Sequence, residues 1–136
     1  MNISIEFILK NAHTIAILGA SRDSDKDSHK IMKYLQTQGY KTIPINPYAI
    51  KERILGEKVY KNLGDINKTI DIVNVFRPSS EIVNITKDVI NKKINTVWLQ
   101  LDIFCESSKK ILNNTNINFV QNKCIKVEHN KIFNFN

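Results

Sequence analysis

The amino-acid sequence predicts an α/β protein with a Rossmann-like, doubly wound parallel sheet of about five strands and helices on both faces. Short apolar runs, such as TIAIL at residues 14–18, suit strands that are buried on both faces of a sheet. Amphipathic stretches with helical periodicity alternate with these runs, which is typical of a parallel sheet. Because crossovers between parallel strands are right-handed, few topologies remain, and we expect the nucleotide-binding strand order 3-2-1-4-5.

The first half of the chain begins with a short amphipathic helix over residues 3–11. The first strand, 14–18, is followed by a polar loop and then by a helix over 28–38 that carries a stripe of apolar residues. Gly39 is expected to end this helix, since glycine readily adopts the left-handed conformation found there. Proteins often hold a phosphate where a strand, a loop and a helix follow one another in this way.

The second strand, KTIPIN at 41–46, contains Pro44, which predicts either an edge position or an unpaired N–H at that residue. An extended stretch separates it from the second half, where strands and helices alternate. We expect these elements at 71–76 (strand), 79–92 (helix), 95–100 (strand), 104–113 (helix) and 117–121 (strand). Ligands of such sheets bind outside the carboxyl ends of the strands, and the expected order puts the point where the winding reverses beside the first strand.

The composition limits the class of protein. A length of 136 residues predicts one domain over 1–136. The net charge of +7 suits an anionic partner, but no dense cluster of Lys and Arg with interleaved aromatics indicates nucleic acid. Without a signal peptide or an apolar run of membrane-spanning length, we expect a cytoplasmic protein with reduced cysteines and no membrane partner. The histidines lack the spacing of metal ligands, so no metal site is expected.

The loop after the first strand is the first candidate site. Gly19 lets the backbone approach a ligand, and the amides of 20–22 and of the first helical turn supply N–H donors. Ser21 and Ser28 add hydroxyls and Arg22 adds positive charge, although Ser28 suits a plain helix cap equally well. Three aspartates count against an anion here unless they point to water: Asp23, Asp25 and Asp27.

A nicotinamide dinucleotide is disfavoured at this loop. Its fingerprint needs G-x-G-x-x-G and an acidic residue at the end of the second strand for the ribose hydroxyls. Only the first glycine is present, and the second strand ends in Asn46-Pro47. A phosphate-binding loop of the Walker type is absent as well.

Further candidates stand at the ends of the third and fourth strands. Arg77 follows a buried strand and is either a phosphate clamp or the partner of an acidic loop residue. Phe76 before it suits the core better than stacking on a ligand. Gln100 either orients a ligand amide or bonds to the backbone at its strand end.

Cys124 and His129 raise the question of a nucleophilic thiol. A catalytic thiol needs a neighbouring cation to lower its pKa, and Lys123, Lys126 or His129 could supply one. The alternative, which we favour, is a small thiol in a loop and a structural contact between Glu128 and His129.

Seven segments, in order and at consistent spacing, carry a family resemblance: IAILGAS (15–21), SHKIMKYLQTQGY (28–40), IPINP (43–47), ILGEKVY (54–60), DIVNVFRPS (71–79), VWLQL (97–101) and CIKVEH (124–129). Over roughly residues 7–132 the chain resembles the small single-domain CoA-binding proteins, which look like the N-terminal domain of the succinyl-CoA synthetase alpha subunit. One departure is Asp102, where the family commonly has glycine. The phosphohistidine domain of the synthetase has no counterpart, so its ligase activity is not implied.

The resemblance implies a ligand, coenzyme A, and a place for each of its parts. The diphosphate would lie on Gly19-Ala20-Ser21-Arg22, and the adenosine with its 3′-phosphate would lie between Asn46-Pro47-Tyr48 and Lys51. Phe76-Arg77-Pro78-Ser79 would line the path of adenine and pantetheine, with Gln100 near the pantetheine arm and Cys124 at the mouth. A site without a carboxylate for the ribose suits CoA, because an acid there would repel the ribose phosphate.

Together these observations predict a protein that binds coenzyme A or an acyl-CoA as a non-catalytic carrier, sensor or regulatory module. The alternative is an enzyme that uses NAD(P) or an acyl-CoA, with Cys124 or His129 in catalysis.

Overall fold

Five parallel strands form the central sheet of the protein, for which a computed structural model describes residues 3–134. Two short antiparallel strands form a separate hairpin, and single turns of 3-10 helix occur at Leu63–Asp65 and Ser79–Glu81. The helices and strands are α1 (Ile5–Asn11), β1 (Thr14–Leu18), α2 (Asp27–Thr37), β2 (Lys41–Ile45), β3 (Arg53–Ile54), β4 (Glu57–Lys58), β5 (Ile72–Val75), α3 (Ile82–Lys92), β6 (Thr96–Leu99), α4 (Glu106–Leu112), β7 (Asn118–Val120) and α5 (Ile125–Phe133).

Helices cover both faces of the sheet, which confirms the predicted fold class. One cluster of buried side chains joins α1, α2 and α5 to one face, and it contains Ile8, Leu35, Trp98 and Ile125. A second cluster joins α3 and α4 to the other face, and it contains Ile82, Val89, Val97 and Leu112. The strands are therefore buried on both sides, as their continuous apolar runs predict.

The strand order is β2-β1-β5-β6-β7, so the predicted order 3-2-1-4-5 is wrong. The third strand of the sheet, β5, pairs with β1 and not with β2. The connection from β2 to β5 explains the difference. Its residues Ile54 and Val59 pack on the face of α2, whereas Leu63 and Ile66 pack on the face of α3. The connection therefore passes round the outer edge of β2 and changes face, which brings β5 into the sheet on the far side of β1.

The edge position predicted from Pro44 is confirmed, because β2 is the first strand of the sheet. The chain around Tyr60 lies along the outer side of β2. The Tyr60 N–H donates to the Pro44 carbonyl (3.0 Å), and the Asn46 N–H donates to the Tyr60 carbonyl (2.9 Å). Proline disrupts no hydrogen bond to β1, since the missing N–H lies on the outer side of the strand, as the Pro44 carbonyl does.

Helix α2 begins one residue before the prediction, and its N-cap is Lys26. Ser28 lies within the first turn, so the interpretation of Ser28 as the helix cap is wrong. Gly39 follows the end of the helix at φ +96°, as predicted for a residue that ends a helix.

Within residues 3–134 no helix is both long and apolar enough to cross a membrane.

Candidate functional site

A cavity of about 800 Å³ opens at the carboxyl ends of β1, β2 and β5. In a sheet of this order the winding reverses between β1 and β5, and ligands bind at that point. We call this cavity the crevice. Its lining consists of Leu18, Gly19, Ala20, Ser21, Lys26, Asp27, Ser28, Ile45, Asn46, Pro47, Tyr48, Lys61, Asn62, Phe76, Arg77, Glu81 and Ile85.

The structure brings most of the predicted site residues to the crevice. Those that line it are Gly19, Ala20, Ser21, Ser28, Asn46, Pro47, Tyr48, Phe76 and Arg77. Those that do not line it are Arg22, Lys51, Pro78, Ser79, Gln100 and Cys124. The ligand-binding roles assigned to both groups remain predictions.

Gly19 joins the loop after β1 to the loop after β5. Its φ is +92°, and a Cβ atom on it would lie 2.9 Å from the carbonyl oxygen of Phe76 and 3.2 Å from Cδ of Arg77. A side chain here would therefore meet backbone that cannot move aside cheaply. The two loops touch, and the Arg77 side chain starts directly beside the glycine.

The amides of the loop are used differently from the prediction. The N–H groups of Gly19 and Ala20 both donate to the carbonyl of Ile45, at 3.0 and 3.2 Å. The prediction that the Ala20 amide faces a ligand is therefore wrong, because β2 already accepts its hydrogen bond. The first amides of α2 have no partner within the helix, and Asp27 and Ser28, which carry two of them, line the crevice.

Hydrogen bonds within the loop hold its shape. The Asp23 N–H donates to the Ser21 hydroxyl (3.1 Å), and Nδ1 of His29 lies 2.8 Å from the Ser21 carbonyl oxygen. A carbonyl only accepts, so Nδ1 of His29 carries the proton. Asp23 and Asp25 are exposed and do not line the crevice, whereas Asp27 does.

Arg77 both lines the crevice and forms an ion pair. Its Nε and a terminal nitrogen donate to the two oxygens of Glu81, at 3.0 and 2.6 Å. Glu81 also lines the crevice. The hydrogen bond with Glu81 raises the pKa of Arg77, and the same contact lowers the pKa of Glu81. The sequence left two roles open for Arg77, a phosphate clamp or the partner of an acidic residue. The structure shows an acidic partner, Glu81, and this partner lies in the cavity where a ligand would bind.

The other predicted cations lie outside the crevice. Arg22 forms an ion pair with Glu52 on the loop after β2, and Lys51 is exposed. Two cations that sequence reasoning missed, Lys26 and Lys61, line the cavity instead. Neither has a carboxylate oxygen within 4 Å among residues 3–134.

The sequence offered little signal for the missed lining residues. Lys26 lies between Asp25 and Asp27, in a loop whose polar sequence predicts exposure to solvent. Lys61 directly follows the segment 54–60, but only the pairing of Tyr60 with the outer side of β2 brings it to the crevice. Asn62 reaches the crevice in the same way. Glu81 and Ile85 lie within the predicted helix at 79–92, four residues apart and so on one face.

Gln100 is buried and bonds to protein, which was one of the two alternatives for it. Its Oε1 accepts from Nδ2 of Asn74 (2.9 Å) and from the N–H of Ile125 (3.0 Å). Oε1 therefore links the middle of the sheet to the first residue of α5. The Oδ1 atom of Asn74 is buried without a hydrogen-bond partner among the described residues. Cys124, which precedes α5, is half-buried.

Asp102, the departure from the family pattern, adopts φ +70°, a conformation that favours glycine. The Asp102 N–H donates to Oδ1 of Asn122 at 2.8 Å, and Asn122 itself has φ +57°. This contact fastens the loop after β6 to the loop after β7. The chain at Asp102 therefore keeps a backbone conformation that glycine would adopt easily, and Asp102 does not line the crevice.

His129 lies at the opposite edge of the sheet from the crevice. It borders Ala12 and Tyr40, which precede β1 and β2, and its Nδ1 lies 2.8 Å from the Tyr34 hydroxyl. Burial lowers the pKa of His129. A catalytic role for His129 at the crevice is therefore wrong, because the length of β1 and β2 separates the two. Within residues 3–134 no cluster of three or more histidine, cysteine or acidic side chains is suited to a metal ion.

Known proteins resemble this chain over nearly its whole length. A family described as a CoA binding domain matches residues 13–130. The uncharacterized protein YneT of Bacillus subtilis is 33% identical over 125 residues, which cover 92% of this chain and 91% of YneT. A solved structure from Thermus thermophilus has 35% identity and a TM-score of 0.91 over 95% of this chain and 96% of its own. The ADP-forming acetate–CoA ligase of Methanocaldococcus jannaschii is 31% identical over 81 residues, which are 60% of this chain but 11% of the ligase.

Proposed function

The chain belongs to the family of CoA binding domains, and from this premise we propose that the crevice binds coenzyme A or an acyl-CoA. One observation carries the proposal. The Gly19 loop, the first turn of α2 and Arg77 meet in a single cavity of about 800 Å³. Such a cavity has the size of a cofactor site, and CoA supplies phosphates for each of these groups.

The diphosphate is assigned to the first turn of α2. The helix dipole and the leading amides favour negative charge there, and Ser21 and Ser28 line the same wall. Lys26, at the cap position of the helix, supplies the positive charge that the sequence had suggested for Arg22. The Asp27 carboxylate beside it opposes an anion, so Lys26 has to offset it.

The adenosine and its 3′-phosphate are assigned to the wall formed by Asn46, Pro47 and Tyr48. The Asn46 side chain is already used, because Nδ2 donates to the Ala20 carbonyl (2.9 Å) and Oδ1 accepts from the Tyr48 N–H (2.9 Å). Lys61 is assigned to the 3′-phosphate, the contact that was expected of Lys51. The acidic residues that line the crevice, Asp27 and Glu81, come from α2 and the turn before α3, so no carboxylate of this wall repels a ribose phosphate.

In this proposal the protein is a carrier, sensor or regulatory module of the cytoplasm and catalyses no reaction. The position of His129 gives no support to the alternative of an enzyme that uses it at the crevice. The ligase activity named for the Methanocaldococcus jannaschii relative belongs to a protein of which this chain matches 11%.

Isothermal titration with CoA, acetyl-CoA, NAD and NADP tests the proposal. We expect CoA and acetyl-CoA to bind with similar affinity and NAD to bind much more weakly. Lys26→Gln and Lys61→Gln should each weaken CoA binding roughly tenfold, since a charge-assisted contact contributes about 1.5 kcal/mol at its low end. Lys51→Gln is the matched control, because it removes the same charge from an exposed lysine outside the crevice. Equal or tighter binding of NAD would overturn the proposal.

A further inference from the structure

The crevice contains an acid that occupies the guanidinium expected to meet a phosphate. The pair of hydrogen bonds between Arg77 and Glu81 uses Nε and one terminal nitrogen of the arginine. A phosphate binds arginine in the same two-pronged way. The Glu81 carboxylate therefore covers one of the faces that a ligand phosphate would take.

The ion pair between Arg77 and Glu81 is exposed to solvent, and the stem of Arg77 is packed against Gly19. The stem of Arg77 lies against Gly19, with Cδ 3.2 Å from the position of a Cβ on that glycine, so the guanidinium stays over the crevice. The two side chains are equally open to solvent, with 46% of Arg77 and 44% of Glu81 exposed, and Glu81 ends a single turn of 3-10 helix. An ion pair this exposed contributes little to stability, so a competing anion can separate it at small cost.

We propose that Glu81 is a specificity-determining residue that competes with the ligand phosphate for Arg77. This inference rests on the proposed function. In the free protein Glu81 satisfies Arg77, and a ligand has to displace the carboxylate and then remain beside its negative charge. Lys26 and Lys61 have no such competitor within 4 Å among residues 3–134. Only a ligand that is held by these lysines as well overcomes the competition, which favours ligands with several phosphates over ligands with one.

The sign of one substitution separates competition from support. If Glu81 competes, Glu81→Gln should bind CoA about threefold to tenfold more tightly, because an exposed carboxylate next to the phosphate is gone. If Glu81 instead holds Arg77 in place for the ligand, the same variant should bind more weakly. Arg77→Gln should weaken CoA binding more when it is combined with Glu81→Gln than when it is made in the wild type, since Arg77 is free to meet the phosphate once the carboxylate is removed.

Glu52→Gln provides the matched control. It makes the same change of charge in an exposed ion pair, that of Arg22 with Glu52, which does not line the crevice. We expect this control to change the dissociation constant for CoA less than twofold. The fluorescence of Trp98 and the urea midpoint show whether each variant is folded.

The outcomes separate this inference from the function on which it rests. If wild-type protein binds CoA but Glu81→Gln binds it equally or more weakly, the competition is refuted and the CoA site stands. An equal gain in Glu52→Gln would also refute it, since net charge alone would then explain the result. If wild-type protein and all variants fail to bind CoA at millimolar concentration, the proposed function and this inference both fall.

Discussion

Replacing Gln100 should destabilise the protein much more than replacing its partner Asn74, although both side chains are buried. Oε1 of Gln100 accepts hydrogen bonds from Nδ2 of Asn74 and from the N–H of Ile125. Methionine has nearly the length of glutamine but no comparable acceptor, so Gln100→Met leaves two buried donors unpaired. Since each buried unpaired donor costs about 1–3 kcal/mol, we expect the free energy of unfolding to fall by about 2–6 kcal/mol.

The partner substitution leaves no donor unpaired. Asn74→Leu removes Nδ2 together with Oδ1, an atom that already lacks a partner among the described residues. Gln100 still accepts from the Ile125 N–H. We therefore expect a change within about 1 kcal/mol, because leucine has the same branched shape and the same number of side-chain heavy atoms as asparagine, and it replaces a polar group that gained little from its burial.

The double variant tests the account most directly. In Asn74→Leu with Gln100→Met only the Ile125 N–H remains unpaired, so the double variant should be about 1–3 kcal/mol more stable than Gln100→Met alone. Urea unfolding followed by the fluorescence of Trp98, the single tryptophan of the sequence, measures all three variants. Trp98 stands opposite Asn74 in the sheet and reports on this region. Equal costs for the two single variants, or a double variant as unstable as their sum, would refute the reasoning.

Three further predictions concern stability and titration. Gly19→Ala should lower the free energy of unfolding, measured in urea, by about 2–4 kcal/mol, because of the positive φ and a clash with backbone. Gly39→Ala has a similar φ but nothing within 4 Å, so it should lower the same free energy by about 1 kcal/mol. Equal losses in the two variants would contradict the close approach at Gly19. Because burial lowers the pKa of His129 below its unfolded value near 6.5, the unfolded state binds more protons under that pH. The urea midpoint should therefore fall as the pH drops below about 6.5 in wild type and should fall less in His129→Phe, and parallel curves would contradict this. Burial raises the pKa of Tyr40 to about 12 and also raises the pKa of Tyr34, so ultraviolet titration should show the Tyr40 phenol ionising last, and Tyr40→Phe should abolish that last step.

The fold class could be predicted because each strand is an apolar run and each helix has a stripe of apolar residues. Those patterns report that a residue is buried, and they do not say which strand stands next to which. Strand order depends instead on the path of the connections. The stretch between β2 and β5 carries apolar residues for both faces, Ile54 for one and Ile66 for the other. Its periodicity does not say that it passes round the edge of β2, and the order was therefore predicted wrongly.

The position of the crevice could be predicted for a related reason. Parallel strands end at one edge, so the loops after them lie at the same end of the sheet, and both the predicted and the observed order reverse the winding beside β1. Which cations of the crevice are free of an acidic partner could not be predicted, because this depends on which carboxylate another loop brings close to each of them. Arg22 is paired by Glu52 and Arg77 by Glu81, whereas Lys61 reaches the cavity through a backbone contact of Tyr60.

In the proposed phosphate site one glycine suffices in the loop after β1, because the loop is long. In the G-x-G-x-x-G fingerprint the second glycine lets the backbone approach a pyrophosphate and the third allows close packing of helix on strand. Here the equivalent positions hold Ser21 and Ser24, and α2 begins only at Asp27, well beyond the end of β1 at Leu18. The added length places Ser28, and not a glycine, at the buried start of the helix. Gly19 is the glycine of the four that a side chain could not replace without a clash, because a Cβ atom there would meet the carbonyl of Phe76 and the stem of Arg77.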